Sequence, residues 1–279
     1  MNTIIEAQNL TKVYKDFWGR PRTPALVDLN LEIYRGEIFG LLGPNGSGKT
    51  TALKLMLGLI RPTKGKVMVM GKSPREVSIK SKIGFMPEEA YLYRFLNAYE
   101  TLCFYGELLG LKGKTLTERV ERILRIVGLY TVRQQPLKEY SKGMSRRIGL
   151  AQVLLKEPEL CILDEPTIGL DPVGAMEIKD IIRGLKKEGK TVLLSTHLLS
   201  EAEPLCDRIG ILYQGRLISL GSIKDLLTMR EEIEIVVKGL GIEGEDKVKR
   251  FLEEEGASLV SISRARERLE EFYIRTISK

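Results

Sequence analysis

Gly43-Pro44-Asn45-Gly46-Ser47-Gly48-Lys49-Thr50 has the spacing G-x-x-x-x-G-K-[ST], and its reading decides the fold. The apolar run Ile38-Phe39-Gly40-Leu41-Leu42 before it has the texture of a buried strand, and Thr51 to Leu59 after it reads as a helix. A strand, a glycine turn and a helix start are the parts a phosphate cradle needs. Gly43, Gly46 and Gly48 open backbone conformations closed to residues with side chains, so successive N–H groups can converge on an anion. The helix start adds a partial charge of about +0.5. Lys49 is expected to neutralise β- and γ-phosphates and Thr50 to ligate Mg²⁺, with Pro44, Asn45, Ser47 and Thr51 completing the binding set. The stretch predicts a nucleoside triphosphate site.

Upstream, Ile4 to Leu10 and Leu26 to Ile33 read as strands, separated by a loop holding Trp18, Gly19, Pro21 and Pro24. Tyr14 stands near that loop, as a candidate to stack on a purine or as an ordinary strand aromatic. Downstream, Lys66 to Met70 and Lys82 to Met86 read as strands. The texture from about Asn97 to Leu155 is helical, with Val120, Ile123, Leu124 and Val127 on one face. A helical block between strands predicts an inserted lobe, about residues 88 to 157. Strands then resume at Leu160 to Leu163, Thr191 to Ser195, Ile209 to Tyr213 and Arg216 to Leu220, with a helix marked by Ile178, Ile181, Ile182 and Leu185. Alternation of strands and helices implies an α/β core with crossovers.

Beyond Gly221 the pattern changes. A strand at Glu232 to Lys238, a helix around Val248, Phe251 and Leu252, a strand at Leu259 to Ser263 and a final helix at Leu269 to Ile277 predict a small α+β unit, residues 222 to 279.

Two carboxylates, Asp164 and Glu165, close the apolar strand at Leu163. An acid there completes the Mg²⁺ shell in phosphate-loop enzymes, which suits Asp164. Glu165 is placed to orient or deprotonate an attacking water. His197, the one histidine of the chain, ends the strand Leu194-Ser195-Thr196. It is either a satisfied structural residue or a hydrogen-bond donor to a γ-phosphate at the sheet edge where open α/β sheets bind ligands.

With these residues on the page, the first 221 or so resemble the nucleotide-binding subunit of ATP-binding-cassette (ABC) transporters. The resemblance implies a P-loop NTPase core with a mixed sheet. It puts Tyr14 at the adenine-stacking position and Gly43 to Thr50 in Walker A. Glu88 takes the Q-loop place, Tyr140-Ser141-Lys142-Gly143-Met144 the signature, Leu160 to Glu165 Walker B, Gly169-Leu170-Asp171 the D-loop and His197 the switch. It implies ATP and Mg²⁺ as ligands, Thr50, Asp164 and Glu88 as metal ligands, and Glu165, His197 and Lys49 as the catalytic set. It also implies a head-to-tail dimer, in which Ser141, Gly143 and Asp171 of one copy meet the nucleotide of the other. Departures stand at Glu88 (usually Gln), at Lys142 and Met144 in the signature, and at Ile168, where the D-loop often has serine. Lys142 is expected to add charge near the partner's ATP.

The variants, with a carboxy-terminal unit ending Leu269-Glu270-Glu271-Phe272, resemble the ATPases of exporters moving drugs, polysaccharides, sodium or lipid-linked cargo. The partners this implies are a permease on a separate chain, docked through residues 88 to 110 with Tyr91, Tyr93 and Phe95 as candidate contacts, and a second, identical or related ATPase. A cytoplasmic protein peripheral on the inner face of the membrane is expected. The alternative is a soluble ABC ATPase acting on nucleic acid or ribosomes, against which stands the lack of a second cassette or long coiled coil.

Composition bounds this reading without deciding it. A hydrophobic fraction of 43% with 29% charged residues is that of a globular protein. No apolar run approaches the roughly 18 residues of a membrane span, and Met1 to Leu10 lacks the basic-then-apolar order of a signal peptide. Three widely spaced cysteines, Cys103, Cys161 and Cys206, read as reduced thiols. The net charge of +7 suits polyphosphate, acidic partner loops, a membrane surface or nucleic acid, and equally a plain solvated surface.

Overall fold

The centre of the fold is a strand that the sequence makes apolar on both faces. In the computed structural model, which describes residues 2–89, 91–227 and 242–255, β3 (Ile38–Leu42) is buried throughout. The strands that precede it are β1 (Thr3–Lys12) and β2 (Leu26–Tyr34). After it come α1 (Lys49–Met56), β4 (Lys64–Val69), α2 (Val77–Lys80), β5 (Ile83–Met86), α3 (Ala98–Leu108), α4 (Gly113–Ile126) and α5 (Lys142–Leu154). The order continues with β6 (Leu160–Asp164), α6 (Pro172–Lys187), β7 (Thr191–Thr196), α7 (Leu199–Ala202), β8 (Arg208–Tyr213), β9 (Arg216–Ser222), α8 (Ile223–Leu227) and α9 (Ile242–Glu254).

Six strands form one sheet in the order β5-β6-β7-β3-β8-β9, parallel except for β9. Burial on both faces is what parallel sheets require, and β6 and β7 are also buried along their whole length. The antiparallel β8–β9 hairpin turns at Gln214-Gly215, both with positive φ (48° and 78°), as a tight hairpin of right-handed twist demands. Three further strands among the described residues make an antiparallel sheet, β2-β1-β4.

Two apolar cores lie on the two faces of the six-stranded sheet. One joins the small sheet and α1 to Phe39, Leu41, Ile162 and Leu193. The other joins Ile38, Leu42, Leu163 and Leu194 to the lobe helices α3–α5 and to α6. Val120, Ile123, Leu124 and Val127 are all buried in it, as their spacing predicts. The lobe helices therefore share a core with the sheet. Cys161 and Cys206 lie within this second core, where burial pushes both thiols up to about 12.

The α1 helix begins at Lys49, earlier than the expected Thr51, and ends at Met56. The chain divides into two compact units, Met1–Leu226 and Leu227–Lys279. Within the second, α9 coincides with the helix expected around Val248 and Phe251. The strands expected at 232–238 and 259–263 and the helix at 269–277 lie outside the described residues. No described helix is long and apolar enough to cross a membrane.

Candidate functional site

Strand order brings the site together. With β3 between β7 and β8, and β6 beside β7, the carboxyl ends of β3, β6 and β7 lie side by side. The glycine loop, Asp164–Glu165 and His197 leave from those ends. The Gly43 N–H donates to Thr196 O at 3.3 Å, and Asp164 stands opposite Ser195 in the register of β6 on β7.

Two glycines of the loop have no room for a side chain. At Gly43 (φ 152°) a Cβ would strike Leu212 O and lie 2.6 Å from Ser47 Oγ, and at Gly48 (φ 107°) it would lie 2.5 Å from Ala25 O. Gly48 caps α1 without a side-chain hydrogen bond, so the first-turn N–H groups are left to the loop's concave side. Ser47 Oγ is buried with no protein hydrogen-bond partner among the described residues. Unsatisfied donors at a helix start fit an anion. The cavity they border, about 450 Å³, is lined by Ala25, Asn45, Gly46, Ser47, Gly48, Lys49, Thr50, Thr51, Glu88 and Glu165.

Lys49 is 6% exposed. Its ammonium donates to Gly43 O at 2.7 Å and Pro44 O at 3.3 Å and lies 3.4 Å from Glu165 Oε1. The other carboxylate oxygen of Glu165 lies 3.0 Å from His197 Nδ1. Glu165 thus links the lysine to the histidine. Its backbone is left-handed (φ 48°), an uncommon conformation for a residue with a side chain. Ser195 fixes it there: the Glu165 N–H donates to Ser195 Oγ at 3.0 Å and Ser195 O at 3.2 Å. The same hydroxyl donates to Asp164 Oδ1 at 2.5 Å.

Tyr14 stands at the rim, its hydroxyl 3.5 Å from Thr51 Oγ1 and Lys12 Nζ 5.2 Å from its ring centroid. Glu88 lines the cavity from the segment after β5. Ser141, Gly143 and Asp171 do not line this cavity. Ser141 caps α5 by accepting from Met144 N–H at 3.1 Å, and Asp171 caps α6 by accepting from Gly174 N–H at 3.1 Å. The two capped helix starts approach each other closely at Gly143 and Gly174. Lys142 Nζ packs against Gly169, in the space a Cβ there would fill.

Sequence reasoning left out two residues. Ser195 carried a signal, as the first polar residue closing an apolar strand. Arg146 carried none, because a cation in the second turn of a helix reads as a solvated face. It is buried and donates to backbone carbonyls beside both Glu88 and Glu165.

Comparison with known proteins follows the same lines. A family described as ABC transporter matches residues 26–168. An uncharacterised ABC transporter ATP-binding protein of Synechocystis sp. is 37% identical, over 98% of this chain and 84% of that protein. The bacitracin transport ATP-binding protein of Enterococcus faecalis is 40% identical, over 81% of this chain and 71% of that protein. Among solved structures, a dimeric ATP-binding cassette in a post-hydrolysis state, bound to ADP and Pi, has a TM-score of 0.71 at 28% identity, covering 79% of this chain and 99% of that one. A phosphate-cradling loop, two acids and a histidine on one sheet edge, and these relatives lead to one conclusion: the chain belongs to the ABC transporter family, as an ATP-binding subunit with that family's ATPase domain.

Proposed function

We propose that this ATPase holds Mg·ATP in the cavity bordered by Gly43–Thr51 and drives a separate permease as a head-to-tail dimer of the exporter type. The observation that carries the reading is the linkage Lys49–Glu165–His197 across the mouth of the glycine loop. Lys49 and the loop N–H groups would bind the phosphates, with Tyr14 against the base. The donor set Thr50, Asp164 and Glu88, a hydroxyl and two carboxylates, suits a hard divalent cation. When bound, Mg²⁺ would neutralise charge on the phosphates. Glu165 would take the proton of the attacking water, while His197 holds that carboxylate by its Nδ1.

His197→Ala should lower turnover about 10- to 100-fold, the worth of one hydrogen bond to a charged group. ATP affinity should hold, because the loop is untouched. Steady-state rates beside nucleotide titrations check this, and a normal rate removes His197 from the catalytic set.

The dimer reading rests on where Ser141, Gly143 and Asp171 stand, clustered at two helix starts and away from this chain's own cavity. The dimeric relative supports it. Ser141→Arg in a Glu165→Gln background tests it. The monomer's ATP affinity should stay within about threefold, while ATP-induced dimers vanish from gel filtration. A persisting dimer, or a monomer that no longer binds ATP, overturns the arrangement.

A permease contact is supported by exposed aromatics beside Glu88. Tyr91 and Phe95 are 86% and 77% exposed, and Tyr93 joins Phe95 and Phe104 with ring centroids 5.9 Å and 5.8 Å apart. The exporter reading is supported by the relative named for bacitracin transport and by an Escherichia coli relative named as a probable multidrug ABC transporter ATP-binding protein, 40% identical over 80% of this chain and 38% of that protein. A cytoplasmic location at the inner face of the membrane follows from such a partner.

A further inference from the structure

Arg146 lies in the second turn of α5, the helix whose N-cap is Ser141. It is 7% exposed and forms no ion pair within salt-bridge distance among the described residues. Its guanidinium spends its N–H groups on backbone carbonyls. Nε donates to Pro166 O at 3.0 Å; Nη1 donates to Pro87 O at 3.3 Å and to Glu88 O; Nη2 donates to Asp164 O at 3.0 Å and to Glu165 O. These carbonyls come from two segments, the one after β5 and the one running from the last residue of β6 into the turn beyond it, and β5 and β6 are adjacent strands of the sheet. Each segment carries a carboxylate that lines the cavity, Glu88 and Glu165. One planar group therefore sits behind both acids and fixes the distance between their backbones.

Electrostatics points the same way. Burial pulls the Arg146 pKa down, while Glu88, Asp164 and Glu165 pull it up. Arginine stays charged under such opposing effects. A structural anchor alone would not need its acceptors drawn from the two chain segments that hold the site's acids.

We propose that Arg146 is a positioning residue, which sets the Glu88 and Glu165 backbones in one fixed relation and ties that relation to the helix capped by Ser141. Displacement of that helix would then shift both acids together. The proposal rests on the reading of Glu165 and Glu88 as the acids around the nucleotide. Among the described residues its guanidinium makes no hydrogen bond to the nucleotide loop or to Lys49.

The test is Arg146→Lys in the full chain. Lysine keeps the charge but offers three donors from one point, which cannot span five carbonyls on two segments. The variant is expected to fold, to bind Mg·ATP within about threefold of the parent, and to turn over about 10- to 100-fold more slowly, as for loss of a group that orients a catalytic one. Arg146→Gln, which removes the charge as well, should lose about as much. Parental turnover in Arg146→Lys shows that charge suffices and overturns the proposal. So does a parallel loss of affinity and turnover, or a variant that fails to fold, either of which makes Arg146 a scaffold group. Glu165→Gln, run alongside, separates the two ideas. If it turns over normally the acid assignment has failed, whereas an inactive Glu165→Gln beside an active Arg146→Lys convicts the Arg146 assignment alone.

Discussion

Glu165→Gln is expected to bind ATP as tightly as the parent or tighter, and to turn over about 10²–10⁴ times more slowly, the range set by loss of a positioned base. Glutamine is close in shape and keeps the backbone bonds to Ser195 that hold this left-handed residue. What it loses is the ability to accept a proton. It also loses a negative charge at the mouth of a phosphate site, which is why affinity should not fall. With turnover blocked, ATP should accumulate between two copies, and gel filtration with saturating Mg·ATP should show a dimer. Normal turnover excludes Glu165 as the base. A blocked variant that stays monomeric at saturating ATP would leave the hydrolytic site standing and remove the sandwich.

Lys49→Ala is the second large effect, and it separates binding from chemistry. The ammonium is nearly inaccessible and already held in place by Gly43 O, Pro44 O and Glu165. A phosphate would thus meet a cation that needs no reorganisation. Removing it forfeits charge-assisted bonds worth about 1.5–3 kcal/mol, roughly 10- to 100-fold in ATP affinity. Hydrolysis should fall below detection. Titration with Mg·ATP and a phosphate-release assay read both quantities. Retained hydrolysis would mean that the triphosphate binds elsewhere.

These two variants probe residues legible from local spacing, and much of the fold was legible in the same way. A strand buried on both faces must be a continuous apolar run, so β3, β6 and β7 announced themselves. The face Val120, Ile123, Leu124 and Val127 gave the lobe helix, because a helix can bury only one stripe. The glycine loop was readable because only glycine tolerates the backbone at Gly43 and Gly48. The start of α1 was misplaced by two residues. A glycine N-cap without a side-chain bond gives none of the usual Ser, Thr or Asp signal.

Other features lay beyond local reading. Nothing adjacent to His197 says that its partner is Glu165, since the bond depends on β6 pairing with β7 in a register that sets Asp164 against Ser195. Nothing adjacent to Arg146 says that it is buried, since that follows from α5 packing across the ends of β5 and β6. Nor does spacing show that Asp171 and Ser141 already serve as helix caps within the chain.

The sequence by itself determined which groups are present and which backbone shapes they require: the phosphate loop, the acids after an apolar strand, the helix faces. Such patterns are local, because chirality and burial act on neighbours along the chain. Only the tertiary structure decided who touches whom, placing β3 between β7 and β8 and a buried guanidinium behind two acids. Contacts between residues far apart in sequence are fixed by strand order and core packing, which no short window of residues encodes.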